Sequence, residues 1–297
     1  MIKKLIQTKF HLRFVFNPLI RYFANNLGEY KGVTDIKREV PVIVSLTSYS
    51  ERFKDLEISL YSLLNQKLKP DRIILWLDKN RYDISTLPYE ITRYIKNGLE
   101  IRFVEDLRSY TKIFYALKEF ANSVIVTADD DIYYPQDWLS KLYYSYISNP
   151  ENIHCHRAHR VIISNDEIVP YETWIKHVKE ESARFDNFLT GVGGVLYPPN
   201  CFNNEVFRKD IFLKYAPTAD DIWLWLMAVI NNRKIRIVKN HIKVLTCVDF
   251  WGQLGVKKKK TLYSINSQGK NDTQLKSLIV LYGQNIMSKL NDSKKGN

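Results

Sequence analysis

Long uninterrupted apolar runs, paired cysteines and glycine-rich phosphate loops are all missing from this chain of 297 residues. Its three cysteines, Cys155, Cys201 and Cys247, lie far apart without a CxxC pair. That excludes a disulfide framework and a cysteine zinc site, and it fits a reducing compartment. The N-terminal stretch MIKKLIQTKFHLRFVFNPLIRYFANNLGEYKG starts basic and turns apolar, but Lys9, His11, Arg13 and Arg21 interrupt it. It therefore holds neither a signal-peptide core nor a membrane span. No G-x-G-x-x-G follows the first strand-like run, and no G-x-x-x-x-G-K-[ST] occurs anywhere. A Rossmann dehydrogenase and a P-loop NTPase are both disfavoured.

What is present is a globular composition, 45% hydrophobic and 13% aromatic, with a net charge of +12 that favours anionic partners. The basic residues gather towards the termini, as in KKKK at 257 to 260, and no element carries the basic and aromatic stripe of a nucleic-acid binder. Leu5, Leu12, Phe16, Leu19 and Phe23 recur at near-helical spacing, and no acid precedes Glu29. Two destinations stay open for this segment, an anionic membrane surface and a docking site on the body of the domain.

From residue 41 the pattern becomes regular. PVIVSLTSY, DRIILWLD, LEIRFVED and SVIVTA read as buried strands, and SERFKDLEISLYSLLNQ (Ser50 as N-cap), LPYEITRYIKNG (closed by Gly98) and TKIFYALKEFA as the helices between them. This βαβαβαβ order predicts an α/β fold with a mostly parallel central sheet flanked by helices. Ligands bind such sheets at the carboxyl ends of the strands. Those ends hold Thr47 to Arg52, Asp78 to Arg81, Asp106 to Lys112, and Asp129, Asp130 and Asp131. The second half is less regular. A helix is expected over PQDWLSKLYYSYISN with Pro135 in its first turn, a strand over HCHRAHRVIIS, a glycine-broken strand over FLTGVGGVLYPPNCF, and helices over NNEVFRKDIFLKYA and ADDIWLWLMAVINN. A last helix is expected on Leu275, Ile279, Tyr282, Ile286 and Leu290. The domain limits read from this are 1–39 as a basic extension, 40–250 as the main domain (40–131 a nucleotide-fold candidate, 132–250 the less regular half), and 251–297 as a basic segment and helix.

Three adjacent carboxylates repel one another unless a cation or water absorbs their charge. Hard divalent ions take carboxylate and phosphate oxygens together, so the aspartate triplet suits Mg2+ or Mn2+. The plainer alternative has Asp131 capping the following helix and the other two solvated. Asp220 and Asp221 open an apolar helix, where acids also favour the macrodipole; functionally, one of them suits a general base. His154, His156 and His159 alternate as in a strand and read as half-buried and incidental. Trp174, Trp223, Trp225 and Trp251 offer sugar-stacking faces, although most such aromatics are core.

Taken in order, LTSYSERF, SYTKIFYAL, ADDDIYYP, TGVGGVLYPP and ADDIW resemble a GT-A fold, family 2-like nucleotide-sugar glycosyltransferase of the kind that builds bacterial surface polysaccharide. The resemblance spans about residues 40 to 240 and leaves both termini uncovered. It implies a Rossmann-like fold with an irregular acceptor half and a hexosyl- or N-acetylhexosaminyltransferase activity. The triplet resembles the DxD motif. Asp131, with Asp129, is the implied ligand of manganese or magnesium; Asp129 also faces the ribose, and Asp130 the donor sugar. Thr47, Arg52 and Asp78 fall where the uracil and ribose are held, Lys112 beside donor phosphates, and Gly193 and Gly194 where a sugar approaches the backbone. Asp221 matches the acidic base of inverting members, although the residue before it is Asp220 where Glu is usual. Asp220 and Trp223 are the implied acceptor contacts. The expected partners are a nucleotide-sugar donor, UDP-linked, and a glycan or lipid-linked acceptor, with no nucleic acid. The expected location is cytoplasmic, with the inner membrane face open. A nucleotidyltransferase making nucleotide sugars and a noncatalytic glycan- or nucleic-acid-binding protein are the alternatives.

Overall fold

Strands whose two faces are both buried show near-continuous apolar runs, and four such runs build the first half of the sheet. The computed structural model describes residues 16–26, 28, 30–242, 246–249 and 269–295. In chain order the strands are β1 (Val42–Thr47), β2 (Arg72–Asp78), β3 (Leu99–Val104), β4 (Val124–Thr127), β5 (Ile132–Tyr133), β6 (Ile153–Cys155), β7 (Ala158–Arg160), β8 (Ile163–Ser164), β9 (Glu167–Ile168), β10 (Asn187–Leu189), β11 (Val195–Tyr197), β12 (Ile235–Ile237) and β13 (Thr246–Cys247). The helices are α1 (Asn17–Asn25), α2 (Phe53–Leu64), α3 (Tyr89–Thr92), α4 (Thr111–Glu119), α5 (Trp138–Ser148), α6 (Lys209–Tyr215), α7 (Asp220–Ile230), α8 (Lys270–Tyr282) and α9 (Gln284–Lys295).

Seven strands form the central sheet in the order β12, β6, β11, β4, β1, β2, β3. Only β11 runs against its neighbours β4 and β6; the other pairings are parallel. Side chains alternate across the sheet, so Val42, Val44 and Leu46 join Val124 and Val126 on one face with α2 and α5, while Ile43, Ile74 and Ile125 join the other face with α4 and α7. The chain runs from β1 outward through β2 to β3 and then returns to β4 on the other side of β1. That reversal puts the crevice between the carboxyl ends of β1 and β4, where the aspartates lie.

Local differences from the sequence expectations have identifiable causes. Ser50 is not the cap of α2: it opens a 3-10 turn, Ser50–Arg52, and its hydroxyl donates to Glu51 at 3.0 Å. The helix expected over residues 87 to 98 is one α turn followed by a 3-10 turn, Arg93–Asn97, closed by Gly98 at φ 102°. Helix α5 begins at Trp138, after Pro135, and Asp131 does not cap it. HCHRAHRVIIS splits into β6 in the main sheet and β7 paired with β10. The last helix is a pair broken at Gly283, with Leu275, Leu278, Ile286 and Leu290 buried in the core shared with α7.

Helix α1 docks on α2: Ile20 and Ala24 are buried, and Arg21 donates to Glu57 at 2.9 Å and to the Lys54 carbonyl at 3.0 Å. For residues 17–25 the docking reading therefore holds. Lys3, Lys4, Leu5, Lys9 and Leu12, Trp251 and the lysine run at 257 to 260 lie outside the described residues. Among the described residues no helix is long and apolar enough to cross a membrane.

Candidate active site

Each of the three aspartates has its own donor. Lys112 Nζ lies 2.5 Å from Asp129 Oδ1, the Ser48 hydroxyl donates to Asp130 at 2.5 Å, and the Arg52 guanidinium pairs with Asp131. The Asp129 amide also donates to the Tyr134 hydroxyl at 2.8 Å. Arg52 and Ser48 come from the segment leaving β1, Lys112 from the first turn of α4. The Lys112 turn is tied to β1, because the buried Ser45 hydroxyl donates to the Lys112 carbonyl and accepts from the Trp76 indole at 2.8 Å. Burial, then the neighbouring Asp131, pushes the Asp130 carboxyl up to about 7 against the opposing pull of Arg52. Burial and Asp129 likewise raise Asp131, again opposed by Arg52.

The second acidic pair joins the first through the same lysine. Lys112 Nζ is 3.8 Å from Asp220 Oδ2, and its side chain is only 9% exposed. Burial works against the lysine's charge, but Asp129, Asp220 and Asp221 outweigh it and hold Lys112 protonated. Asp221 turns to the glycine segment, where the Gly191 amide donates to its Oδ1 at 3.0 Å. A Cβ on Gly191 would stand 2.9 Å from that oxygen and 3.7 Å from Lys112 Nζ, so a larger residue here would force the Asp221 carboxylate to move. Burial first, then Asp220, pushes the Asp221 carboxyl up to about 8, with Lys112 and the Gly191 amide pulling the other way. One cluster results, with five carboxylates and two cations at the carboxyl ends of β1 and β4.

Three expected contacts take different positions. Trp223 is fully buried, its indole donating to the Val206 carbonyl at 3.1 Å, so it cannot meet an acceptor; α7 is apolar all round and faces solvent on almost no side. Gly193 and Gly194 are buried against the protein itself. A Cβ on Gly194, which has φ +86°, would collide with the Trp138 ring at 2.4 Å, and one on Gly193 would crowd Arg157 at 3.2 Å. Close backbone approach is real there, but the approaching groups are Trp138 and Arg157, not a sugar. Thr47 gives its hydroxyl to the Trp76 carbonyl at 2.9 Å. Asp78 ends β2, accepting from the Asn80 amide at 3.0 Å with Arg81 at 3.5 Å.

The histidines are structural. His154 meets the Ser145 hydroxyl at 2.8 Å and the Asn149 carbonyl at 3.0 Å, while His156 meets the Trp138 carbonyl at 3.0 Å and the Ile242 amide at 3.2 Å. Burial lowers them to about 4 and about 3, so both stay neutral at ordinary pH. Trp174 and Trp225 are core as well. Two residues passed over in the sequence belong to the site. Gly191 is one. Tyr49 is the other, 44% exposed beside Arg52, whose Nε donates to its hydroxyl at 3.2 Å; a half-exposed ring at this strand end can stack on a planar base. The signal for Tyr49 was its place in TSYSERF directly after the first strand.

The donor chemistry sets what metal could bind. The triplet offers hard carboxylate oxygens, two of them in direct ion pairs. Among the described residues no three His, Cys, Asp or Glu side chains converge as a metal cage. This set fits a divalent ion held by one or two carboxylates together with diphosphate oxygens, and does not fit an all-protein site.

A sheet of this order is a Rossmann-like α/β fold, with its ligand crevice at the reversal point where the acids lie. The family model described as Glycosyl transferase family 2 matches residues 43–215, more than half of the chain, and the chain belongs to that family; its fold is GT-A. No curated protein matches it. Among solved structures, S. aureus TarS 1-349 is 17% identical, covering 69% of this chain and 59% of its own, with a TM-score of 0.47. The mannosyltransferase PcManGT from Pyrobaculum calidifontis, in complex with GDP-Man and Mn2+, is 12% identical over 92% of this chain and 84% of its own, with a TM-score of 0.45. The inositol-1-phosphate CTP transferase from T. maritima is 12% identical over 72% of this chain and 91% of its own, with a TM-score of 0.42. The chain thus spans less than two thirds of the length of TarS 1-349. At such identities and TM-scores none of the three specifies a donor or an acceptor.

Proposed function

We propose that this protein transfers a sugar from a nucleoside diphosphate donor, a UDP-sugar, to a hydroxyl of a glycan or lipid-linked acceptor in surface polysaccharide synthesis, with inversion at the anomeric carbon. The observation that carries this reading is the single lysine joining two acidic groups: Lys112 lies 2.5 Å from Asp129 and 3.8 Å from Asp220, next to the Gly191-bound Asp221. One group faces the leaving diphosphate and the other the incoming hydroxyl. Residues 40–250 form the catalytic domain.

Asp131 and Asp129 would hold a manganese or magnesium ion, with Asp130 near the donor sugar. When bound, the ion supplies positive charge against the negative charge that grows on the leaving diphosphate. Lys112 adds a fixed cation on the same side. Asp221 takes the proton from the acceptor hydroxyl. That oxygen forms its bond to the anomeric carbon as the carbon's bond to the diphosphate oxygen breaks, and the nucleoside diphosphate departs with the bonding electrons. A carboxyl raised to about 8 is a stronger base than an ordinary carboxylate, is mostly protonated at neutral pH and becomes mainly ionised only above about 8, so transfer should quicken as pH rises through that value. Arg52, Asp78 and Tyr49 line the nucleoside end, and Asp220 the acceptor side.

The test is a panel of nucleotide sugars offered with manganese or with EDTA. Nucleoside diphosphate release that requires the metal, lost in Asp131→Ala together with donor binding, is expected. Failure of every nucleotide sugar to bind in both conditions overturns the reading.

A further inference from the structure

Helix α7 brings Asp220 and Asp221 into the site, where Gly191 and Lys112 meet their carboxylates, yet no side chain caps its first turn. Its N-cap is Ala219, which has no side chain able to bond the free amides of the first turn. The approach segment is held from outside. Tyr110 Oη donates to the Ala216 carbonyl at 2.6 Å and Arg108 to the Pro217 carbonyl at 3.2 Å. At Thr218, two residues before Asp220, both the amide (3.0 Å) and the hydroxyl (3.1 Å) donate to one oxygen, Gln274 Oε1. Gln274 is buried at 7% exposure, and its amide nitrogen is anchored on the Lys270 carbonyl at 3.2 Å within α8.

The same C-terminal helix pair holds the other end of α7. Lys289 of α9 donates to the Val229 and Ile230 carbonyls, each at 2.9 Å, at the C-terminal end of α7. Between these ends, Leu275, Leu278, Ile286 and Leu290 pack into the core that α7 shares. Asp272 extends the hold to the irregular half by accepting from the Tyr171 amide at 2.7 Å. The family match ends at residue 215, so the acidic pair and the helices that brace it both lie beyond it.

We infer that the C-terminal helix pair is a splint for the catalytic base, and that Gln274 is its positioning residue, setting Asp221 through Thr218. This rests on the reading of Asp221 as base. The Gln274 side chain does not touch the reacting atoms. It fixes the register and tilt of the first turn of α7, and with it the distance from Asp221 to the acceptor hydroxyl.

The experiment compares Gln274→Leu, Gln274→Glu and Asp221→Asn in the full chain, using the nucleotide sugar that turns over in the panel. Leucine fills the space without an acceptor, whereas glutamate keeps an oxygen for Thr218. For Gln274→Leu, kcat is expected to fall about 10- to 100-fold, the effect of a misplaced catalytic group. Binding of UDP with manganese should stay within about 2-fold of wild type, because a base-positioning defect leaves the donor side intact. Gln274→Glu should recover most of the loss, and amide exchange over 216 to 221 should quicken in the leucine variant alone. Wild-type kcat in Gln274→Leu overturns the inference, as does an equal loss of UDP binding, or a glutamate variant as poor as leucine. An inactive Asp221→Asn beside an unimpaired Gln274→Leu sinks this inference only. An active Asp221→Asn sinks the base reading and takes the inference with it.

Discussion

Gly191 and Asp221 meet across 30 residues of chain, the amide of one donating to the carboxylate of the other at 3.0 Å, with no room between them for a methyl group. Gly191 has no positive φ, so its need for glycine comes from space and not from backbone conformation. Gly191→Ala should therefore push Asp221 aside while leaving the fold in place. We expect kcat to drop about 100-fold, the penalty of a displacement of roughly 1 Å, with a loss in stability on the order of 1 kcal/mol. Steady-state kinetics and thermal melting together check this. Unchanged kcat would detach Gly191 from catalysis.

Lys112 lowers the proton affinity of Asp221, and removing its charge should shift the reaction to more alkaline pH. Lys112→Met is expected to move the ascending limb of the kcat profile upward in pH and to weaken binding of the diphosphate. A pH–rate profile of wild type and variant is the check. An unshifted limb would show that Lys112 does not act on the base.

Above about 6.5, where histidine no longer titrates in the unfolded chain, stability should fall as pH rises. An unfolded aspartate titrates near about 4, whereas Asp130 and Asp221 are raised to about 7 and about 8 in the fold. Between those limits the folded chain binds more protons than the unfolded one, so their contribution is complete below about 4 and is lost on passing through about 7 to 8. Melting temperature without metal or nucleotide should decline between about 6.5 and about 8, above the range in which the buried neutral histidines His154, His156 and His159 add stability as pH rises. The decline should flatten in Asp130→Asn/Asp221→Asn, and an equally steep slope in that double variant would contradict the assignment.

Trp223 is core. Trp223→Phe keeps an aromatic body but leaves the Val206 carbonyl without its donor, at an expected stability loss of about 1 to 3 kcal/mol. Acceptor KM should not change. A selective rise in acceptor KM at unaltered melting temperature would return Trp223 to the acceptor site.

The half of the sheet built from β1 to β4 was legible in the sequence, because a strand buried on both faces must be apolar throughout and its helices must carry the 3.6 period. The aspartate triplet was legible for the same reason: charges at the end of an apolar strand stand out. The remainder depends on partners distant in the chain. Gly193 and Gly194 look like a place for a ligand until Trp138 is found against them, about 55 residues upstream. Lys112 reads as a phosphate contact beside Asp129, and only the fold brings Asp220 to its other side. Trp223 sits two residues from Asp221, but the turn of the helix carries its ring into the core.

The one reversed strand has a consequence for how this protein is made. Strand β4 bonds β1 along one edge and β11 along the other, and Thr127 finds Val195 only after 68 further residues. Until then the nascent chain carries VIVT as an open, uncharged edge at the middle of its future sheet, the kind of edge that recruits another chain. A fragment stopping soon after the aspartates would therefore tend to aggregate, however complete its nucleotide-binding half looks on paper.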